Sequence, residues 1–144
     1  MIPNLFLFMD FRVIASAVIE KDGCFLLGKK PANVGPYPNT WHLPGGGVKL
    51  EDESILEALK REIREETHIE LSNIEPISFD EDYEPNKRGV KTHYVFLVFK
   101  AKWSAGEAKA ADDLTELRWV PKAKLKELPL TMPSIKLFKE LRYL

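Results

Sequence analysis

The sequence predicts a mixed α/β sandwich. Runs of β-branched and aromatic residues lie on both sides of one strongly capped early helix, and an amphipathic helix closes the chain. Residues 11–19 read as a strand. Lys21-Asp22-Gly23 is a hairpin signal, so residues 24–29 pair back as a second strand. Three prolines and a glycine make 31–39 a loop. Trp41-His42-Leu43 is a short strand stopped by Pro44, and the glycines at 45, 46 and 47 read as a loop. Ser54 with Glu57 three residues on is a capping box. The helix it opens runs to about Thr67, with Leu56, Leu59 and Ile63 as its buried stripe. A strand over 74–79 and a charged, proline-containing loop over 80–89 follow. Residues 90–103 give the best central strand. After a loop over 105–113, residues 117–120 form a short strand ended by Pro121. The closing helix over 134–144 turns Ile135, Leu137, Phe138 and Leu141 inward.

The 144 residues, 44% hydrophobic, are the length of one domain, 1–144. Folding at that size buries roughly 70% of the unfolded chain's surface, so neither a disulfide nor a metal is required for it. With 21 basic and 22 acidic residues, the net charge of −1 excludes bulk attraction to nucleic acid or an anionic membrane. The single cysteine, Cys24, forms no internal disulfide, suits a reducing cytoplasm, and sits on an apolar strand where packing in the core is expected. The apolar run Leu5-Phe6-Leu7-Phe8-Met9 is too short for a signal peptide and lacks a basic start. No window supplies the roughly 20 apolar residues of a membrane span.

The anomaly lies in the helix after the glycines. At about 100° per residue, Glu62, Glu65 and Glu66 share one third of the wheel. Glu62 and Glu66 are like charges at i,i+4, and Glu65 and Glu66 sit in the last turn, where the helix dipole disfavours anions by about 0.3–1 kcal/mol. Read by itself, such a helix is also compatible with a solvated face carrying Glu57–Arg61 and Arg61–Glu65 surface pairs. The three preceding glycines shift the reading, because they let backbone approach a phosphate or metal without obstruction. Oxygen-only ligands suit Mg²⁺ or Mn²⁺, and a Mg²⁺ site keeps waters and shares its cation with substrate phosphates.

Gly47, five residues, Glu53, seven residues and then Arg61-Glu62-Ile63-Arg64-Glu65-Glu66-Thr67-His68-Ile69 resembles the Nudix box, G-x5-E-x7-R-E-U-x-E-E-x-G-U with U bulky and aliphatic. Over these 23 residues every specified position agrees except His68, which replaces a glycine. Trp41-His42-Leu43-Pro44-Gly45-Gly46-Gly47 is similar to the family's lead-in to the box. Glu116-Leu117-Arg118-Trp119-Val120-Pro121 is similar to its late strand.

The resemblance implies a Nudix-type α/β/α sandwich with a central mixed β-sheet. The activity it implies is Mg²⁺- or Mn²⁺-dependent hydrolysis of a nucleoside diphosphate linked to another moiety. It makes Glu62, Glu65, Glu66 and the Gly46 carbonyl metal ligands. Arg61 holds the carboxylates by ion pairs, and Glu53 supports the site from its edge. Glu65 is the expected base, with Asp113 as the alternative, backed by Asp112 and Glu116 from the same region. A carboxylate base of this kind takes the proton of an attacking water. His68 is expected to be a helix cap in a strained or shifted conformation.

Substrate contacts are less determined. Arg12, Lys29 and Lys30 can reach phosphates or equally form solvated faces. Tyr37, Asn39 and Trp41 can stack on or hydrogen-bond a base, and Gly45 and Gly47 give backbone access. His42, His93, Trp119 and Phe138 read as structural, and no Cys/His spacing suits zinc. The Pro-Asn-Thr-Trp run and His93-Tyr94-Val95 resemble nucleoside-triphosphate-cleaving members more than RNA-decapping ones. The expected substrate is therefore a nucleoside triphosphate, cleaved to a monophosphate and pyrophosphate. A nucleotide sugar, ADP-ribose, a dinucleoside polyphosphate or a non-catalytic nucleotide sensor are the alternatives. The expected partner is a small-molecule nucleotide, not a membrane or a nucleic acid. A homodimer would accord with the dimers common in the family.

Overall fold

The computed structural model describes residues 9–33, 37–112 and 114–144; Asp113 and the apolar run at 5–8 lie outside the described residues. Strand β1 (Asp10–Lys21) turns through Asp22 and Gly23, both at positive φ (50° and 77°), into β2 (Cys24–Lys29). That is the two-residue geometry that matches strand twist. The sheet order is β3 (Trp41–His42), β2, β1, β6 (Lys91–Ala105) and β5 (Glu70–Pro85). Strand β4 (Gly45–Gly47) pairs with β1 and β7 (Glu116–Pro121) with β2. The β1–β6 pair is parallel and the other strand pairs are antiparallel, so the sheet is mixed.

Side-chain alternation divides the core in two. Ala15, Ala17, Ile19 and Leu26 face Leu59 and Ile63 of helix α1 (Ile55–Thr67). Val18, Phe25, Leu27 and Val98 face Leu137 and Phe138 of helix α2 (Met132–Glu140). Each fully buried Leu, Ile or Phe among these contributes roughly 1.5–3 kcal/mol. The result is the α/β/α sandwich with a central mixed sheet.

Several elements differ from expectation. The glycines at 45–47 form β4 instead of a loop, in register with Ser16, Ala15 and Ile14. Their lack of side chains hides a strand from any propensity reading. Residues 80–85 continue β5 instead of looping: Glu81 pairs with Val95 and Tyr83 with His93. This edge strand carries Asp80, Glu81, Asp82 and Glu84, and Pro85 stands at its last position, where a missing N–H does least harm. Leu56 is exposed; Ile55, one turn before Leu59, packs on the sheet instead. Cys24 is half-buried beside the hairpin turn, not packed in the core. Helix α2 starts two residues earlier than expected, capped by Thr131 with Pro133 in its first turn, and stops at Glu140. A 3₁₀ helix over Lys122–Glu127, which buries Leu125, was not expected.

The capping box of α1 forms as read: Glu57 N–H donates to Ser54 Oγ and Ser54 N–H to Glu57 Oε1, both at 3.1 Å. At the other end His68 takes φ 63°, ψ 20°, and its N–H donates to the Arg64 carbonyl at 3.0 Å. Its ring Nδ1 lies 3.1 Å from the Lys109 carbonyl. The loop over 106–112 satisfies the last carbonyls of the helix, through Lys109 N–H to Thr67 and Ala111 N–H to Glu66, each at 3.0 Å. His68→Gly removes a side chain from a left-handed position and loses only an exposed contact. It should stabilise the fold by roughly 0.5–1 kcal/mol, read as a rise in the denaturant midpoint at unchanged slope.

Candidate active site

Strand β4 lies between β1 and α1, and its glycines bring backbone, carboxylates and a cation together. A β-carbon on Gly45, whose φ is 152°, would meet the Ala15 carbonyl oxygen at 2.1 Å, so strand pairing itself requires glycine there. A β-carbon on Gly46 would lie 2.2 Å from Glu62 Oε2. One on Gly47 would lie 2.1 Å from Arg12 Nη2. Bare backbone therefore runs between a carboxylate from α1 and a guanidinium from β1.

Arg61 organises the acidic face. Its Nε and Nη2 donate to the two oxygens of Glu53 at 2.8 and 2.7 Å. Its Nη1 donates to Glu62 Oε1 at 2.9 Å and Glu65 Oε2 at 3.1 Å, and Nη2 also reaches the Gly47 carbonyl at 3.1 Å. Bidentate, charge-assisted pairs of this kind are strong and directional. Glu66 is held separately: its side chain is buried, and Oε1 accepts the Gly45 N–H at 2.8 Å. Among the described residues no group of three His, Cys, Asp or Glu side chains is arranged to hold a metal ion by itself, and Arg61 takes one oxygen each of Glu62 and Glu65.

Environment separates these carboxyls. The Arg61 hydrogen bonds, helped by the Lys49 N–H, hold Glu53 well below its usual range, at about 2. Burial pushes Glu62 up against the pull of Arg61, and the charges of Glu65 and Asp112 push in the same upward direction.

A cavity of about 860 Å³ joins this cluster to the α2 face of the sheet. Gly45, Gly46, Gly47, Glu62, Glu65, Glu66, Lys30, Tyr37 and Asp112 line it together. Glu53 and Arg61 stand behind that wall. Tyr37, at φ 57°, donates its hydroxyl to Asp82 Oδ2 on β5 at 2.6 Å; burial, then this bond, pushes its pKa up. Three expected contacts lie elsewhere. Trp41 is 3% exposed, packed in the core with the Arg118 guanidinium 4.6 Å over its ring, and does not line the cavity. Lys29 is tied into β2 opposite Glu116, and Asn39 closes the loop on the Pro31 carbonyl. Glu116 pairs with Arg118. His93 pairs with Glu81 at 2.8 Å and stacks on Tyr83.

Sequence reading missed the far wall, where Tyr94, Phe96 and Val98 of β6 face Leu137 and Lys136 of α2. The 94/96/98 alternation carried that signal, but only the register with β1 shows which face it serves.

A carboxyl whose pKa is lowered by folding stabilises the fold above its unfolded value, and that contribution is lost as pH falls through the folded value. Glu53→Gln should therefore lower the melting temperature at pH 7. The gap to the parent should close as pH falls from about 4.5 towards about 2. Thermal unfolding followed by circular dichroism across that range checks it, and a pH-independent gap would contradict the assignment.

Comparison with known proteins agrees with this geometry. The NUDIX domain model matches residues 10–141. Nucleoside triphosphatase NudI of Salmonella arizonae is 36% identical over 118 residues, covering 78% of this chain and 83% of that protein. The MutT NUDIX hydrolase of Burkholderia pseudomallei superposes with a TM-score of 0.78 at 28% identity, covering 92% of this chain and 98% of that one. A MutT protein from Bacillus halodurans superposes with a TM-score of 0.74 at 27% identity, covering 90% and 81%. No helix among the described residues is long and apolar enough to cross a membrane. Sequence and architecture thus converge on one assignment: this chain belongs to the Nudix family and is a Nudix hydrolase.

Proposed function

We propose that the enzyme is a divalent-cation-dependent pyrophosphohydrolase that converts a nucleoside triphosphate to a monophosphate and pyrophosphate. The observation that carries this reading is the placing of Glu62, Glu65 and Glu66 beside bare glycine backbone on the wall of a nucleotide-sized cavity. The likeness to proteins named nucleoside triphosphatase supports the choice of substrate class.

The donor set fits Mg²⁺ or Mn²⁺. It is all oxygen and acidic, as suits an ion that keeps waters and is shared with phosphates. Glu62, Glu65, Glu66 and the Gly46 carbonyl would hold it. When bound, it supplies neutralising charge to the diphosphate and Lewis acidity to the attacking water.

The chain's own groups do the rest. Glu65, with its side chain 47% exposed at the cavity wall, accepts the proton of the attacking water. Arg61 fixes that carboxylate by its bond to Oε2 and leaves Oε1 to act. Glu66, anchored on the Gly45 N–H, ties the helix to the glycine strand so that both keep one position during turnover. Asp112 is the described acidic residue of the late loop that reaches the same cavity; Asp113 lies outside the described residues.

Glu65→Gln and Glu66→Gln should each lower kcat by about 10²–10⁴-fold while the circular-dichroism spectrum stays that of the parent. Turnover at the parental rate in both would remove the assignment. Phosphate or pyrophosphate release from a panel of nucleoside triphosphates, ADP-ribose, nucleotide sugars and dinucleoside polyphosphates tests the substrate class. Activity should vanish in EDTA and return with Mg²⁺. Highest kcat/KM on a substrate other than a triphosphate would overturn that choice.

A further inference from the structure

Arg12 has no part in the acidic network, yet it stands at its edge. It precedes Ile14 by two residues on β1, and Ile14 pairs with Gly47, so Arg12 shares the face of Ile14 and Ser16 that lines the cavity. Its guanidinium covers the spot a Gly47 side chain would occupy: a β-carbon there would lie 2.1 Å from Nη2, 3.2 Å from Cζ and 3.4 Å from Nε. The corresponding spot at Gly46 is taken by the Glu62 carboxylate. Neighbouring residues of a strand face opposite sides, so Arg12 and Glu62 press on the same two peptide units from either side.

Among the described residues, Arg12 makes no hydrogen bond or ion pair. Arg61, by contrast, directs its donors at two oxygens of Glu53, at Glu62, at Glu65 and at the Gly47 carbonyl. A planar cation with its donors uncommitted, laid over bare backbone between the acidic cluster and the aromatic wall, has the chemistry for a chain of phosphates.

We propose that Arg12 is a polyphosphate-binding residue, its guanidinium donating to non-bridging oxygens of the substrate's phosphate chain where that chain passes Gly47. This rests on the reading of the enzyme as a triphosphate pyrophosphohydrolase. It explains why Gly47 carries no side chain even though its backbone conformation does not demand glycine: a methyl group would displace the arginine.

The test uses inorganic pyrophosphate as probe, with binding measured by calorimetry in Mg²⁺, alongside steady-state kinetics on the best triphosphate. Arg12→Gln should weaken pyrophosphate binding and raise KM by about tenfold or more, the loss expected of a charge-assisted hydrogen bond, while kcat changes much less. Arg12→Lys, which keeps the charge without the fork, should recover part of the affinity. Gly47→Ala should reproduce the Arg12→Gln defect, because the atom in its way is the end of a flexible side chain. In the Arg12→Gln background it should add nothing further. Pyrophosphate affinity and KM within threefold of the parent in Arg12→Gln, or defects of the two substitutions that multiply, would overturn the proposal. Should Arg12→Gln fail to fold, a parental pyrophosphate affinity in Arg12→Lys combined with one in Gly47→Ala would overturn it equally. The calorimetry needs no turnover. A parent protein that cleaves no nucleotide would sink the proposed function while the pyrophosphate arm still decides Arg12.

Discussion

The acidic site depends on one guanidinium. Glu62 and Glu65 project from neighbouring turns of α1, Glu53 comes from the segment before that helix, and Gly47 belongs to the sheet. Arg61 touches all four. Carboxylates crowded at the C-terminal end of a helix repel one another and the helix dipole. A cation at their centre turns that repulsion into a joint between helix, strand and loop. The ordering of the carboxyls follows from it. Glu53, gripped by both arms of the fork, is held as a firm anion. Glu62 shares only one donor, desolvation outweighs that bond, and it is shifted the other way. Support and chemistry are thereby given to different side chains of the same type.

Glu66 is anchored on backbone. The Gly45 N–H reaches its buried carboxylate, and only glycine can stand at 45, because the β1 neighbour leaves no room for a β-carbon. Strand pairing, glycine and carboxylate thus form one constraint. The loop over 106–112 adds to it, since its amides satisfy the carbonyls of Glu66 and Thr67. A loop that caps the helix this way also carries Asp112 to the cavity, so the end of the helix and the late acidic residue are placed together.

What could be read in advance was what is local. The capping box at Ser54, the hairpin at Asp22-Gly23 and the clustering of Glu62, Glu65 and Glu66 all rest on spacings of a few residues within one element, and helical or turn geometry then fixes them. The central strand, read over 90–103 and found over 91–105, was legible because Tyr94 to Phe99 is an unbroken run of apolar and aromatic residues. Features that depend on register were not. Residues 80–85 look like a loop until β6 lies beside them. Trp41 looks like a base-stacking group until it is seen packed in the core beneath Arg118. Tyr94 and Phe96 look like generic core until the cavity is seen on their side of the sheet. His68 is an instructive middle case. The helix ends where a glycine would end it, in the left-handed conformation, and the histidine bears the strain with a contact to Lys109.

The cavity also has a polarity that follows from these placements. Its acidic end is built on α1 and the glycine strand; its other end is lined by Tyr94, Phe96 and Leu137, with Lys136 and Asp80 paired at 2.9 Å. Under the proposed function, a nucleotide has one low-energy direction here. Its base lies on aromatic and aliphatic surface, and its phosphates lead towards the carboxylates. A reversed nucleotide would leave the acidic cluster without the cation it shares with phosphate. The bond to be cleaved is thus selected by the end of the cavity that can hold a divalent ion. The identity of the base is left to the opposite wall, which the box residues do not build.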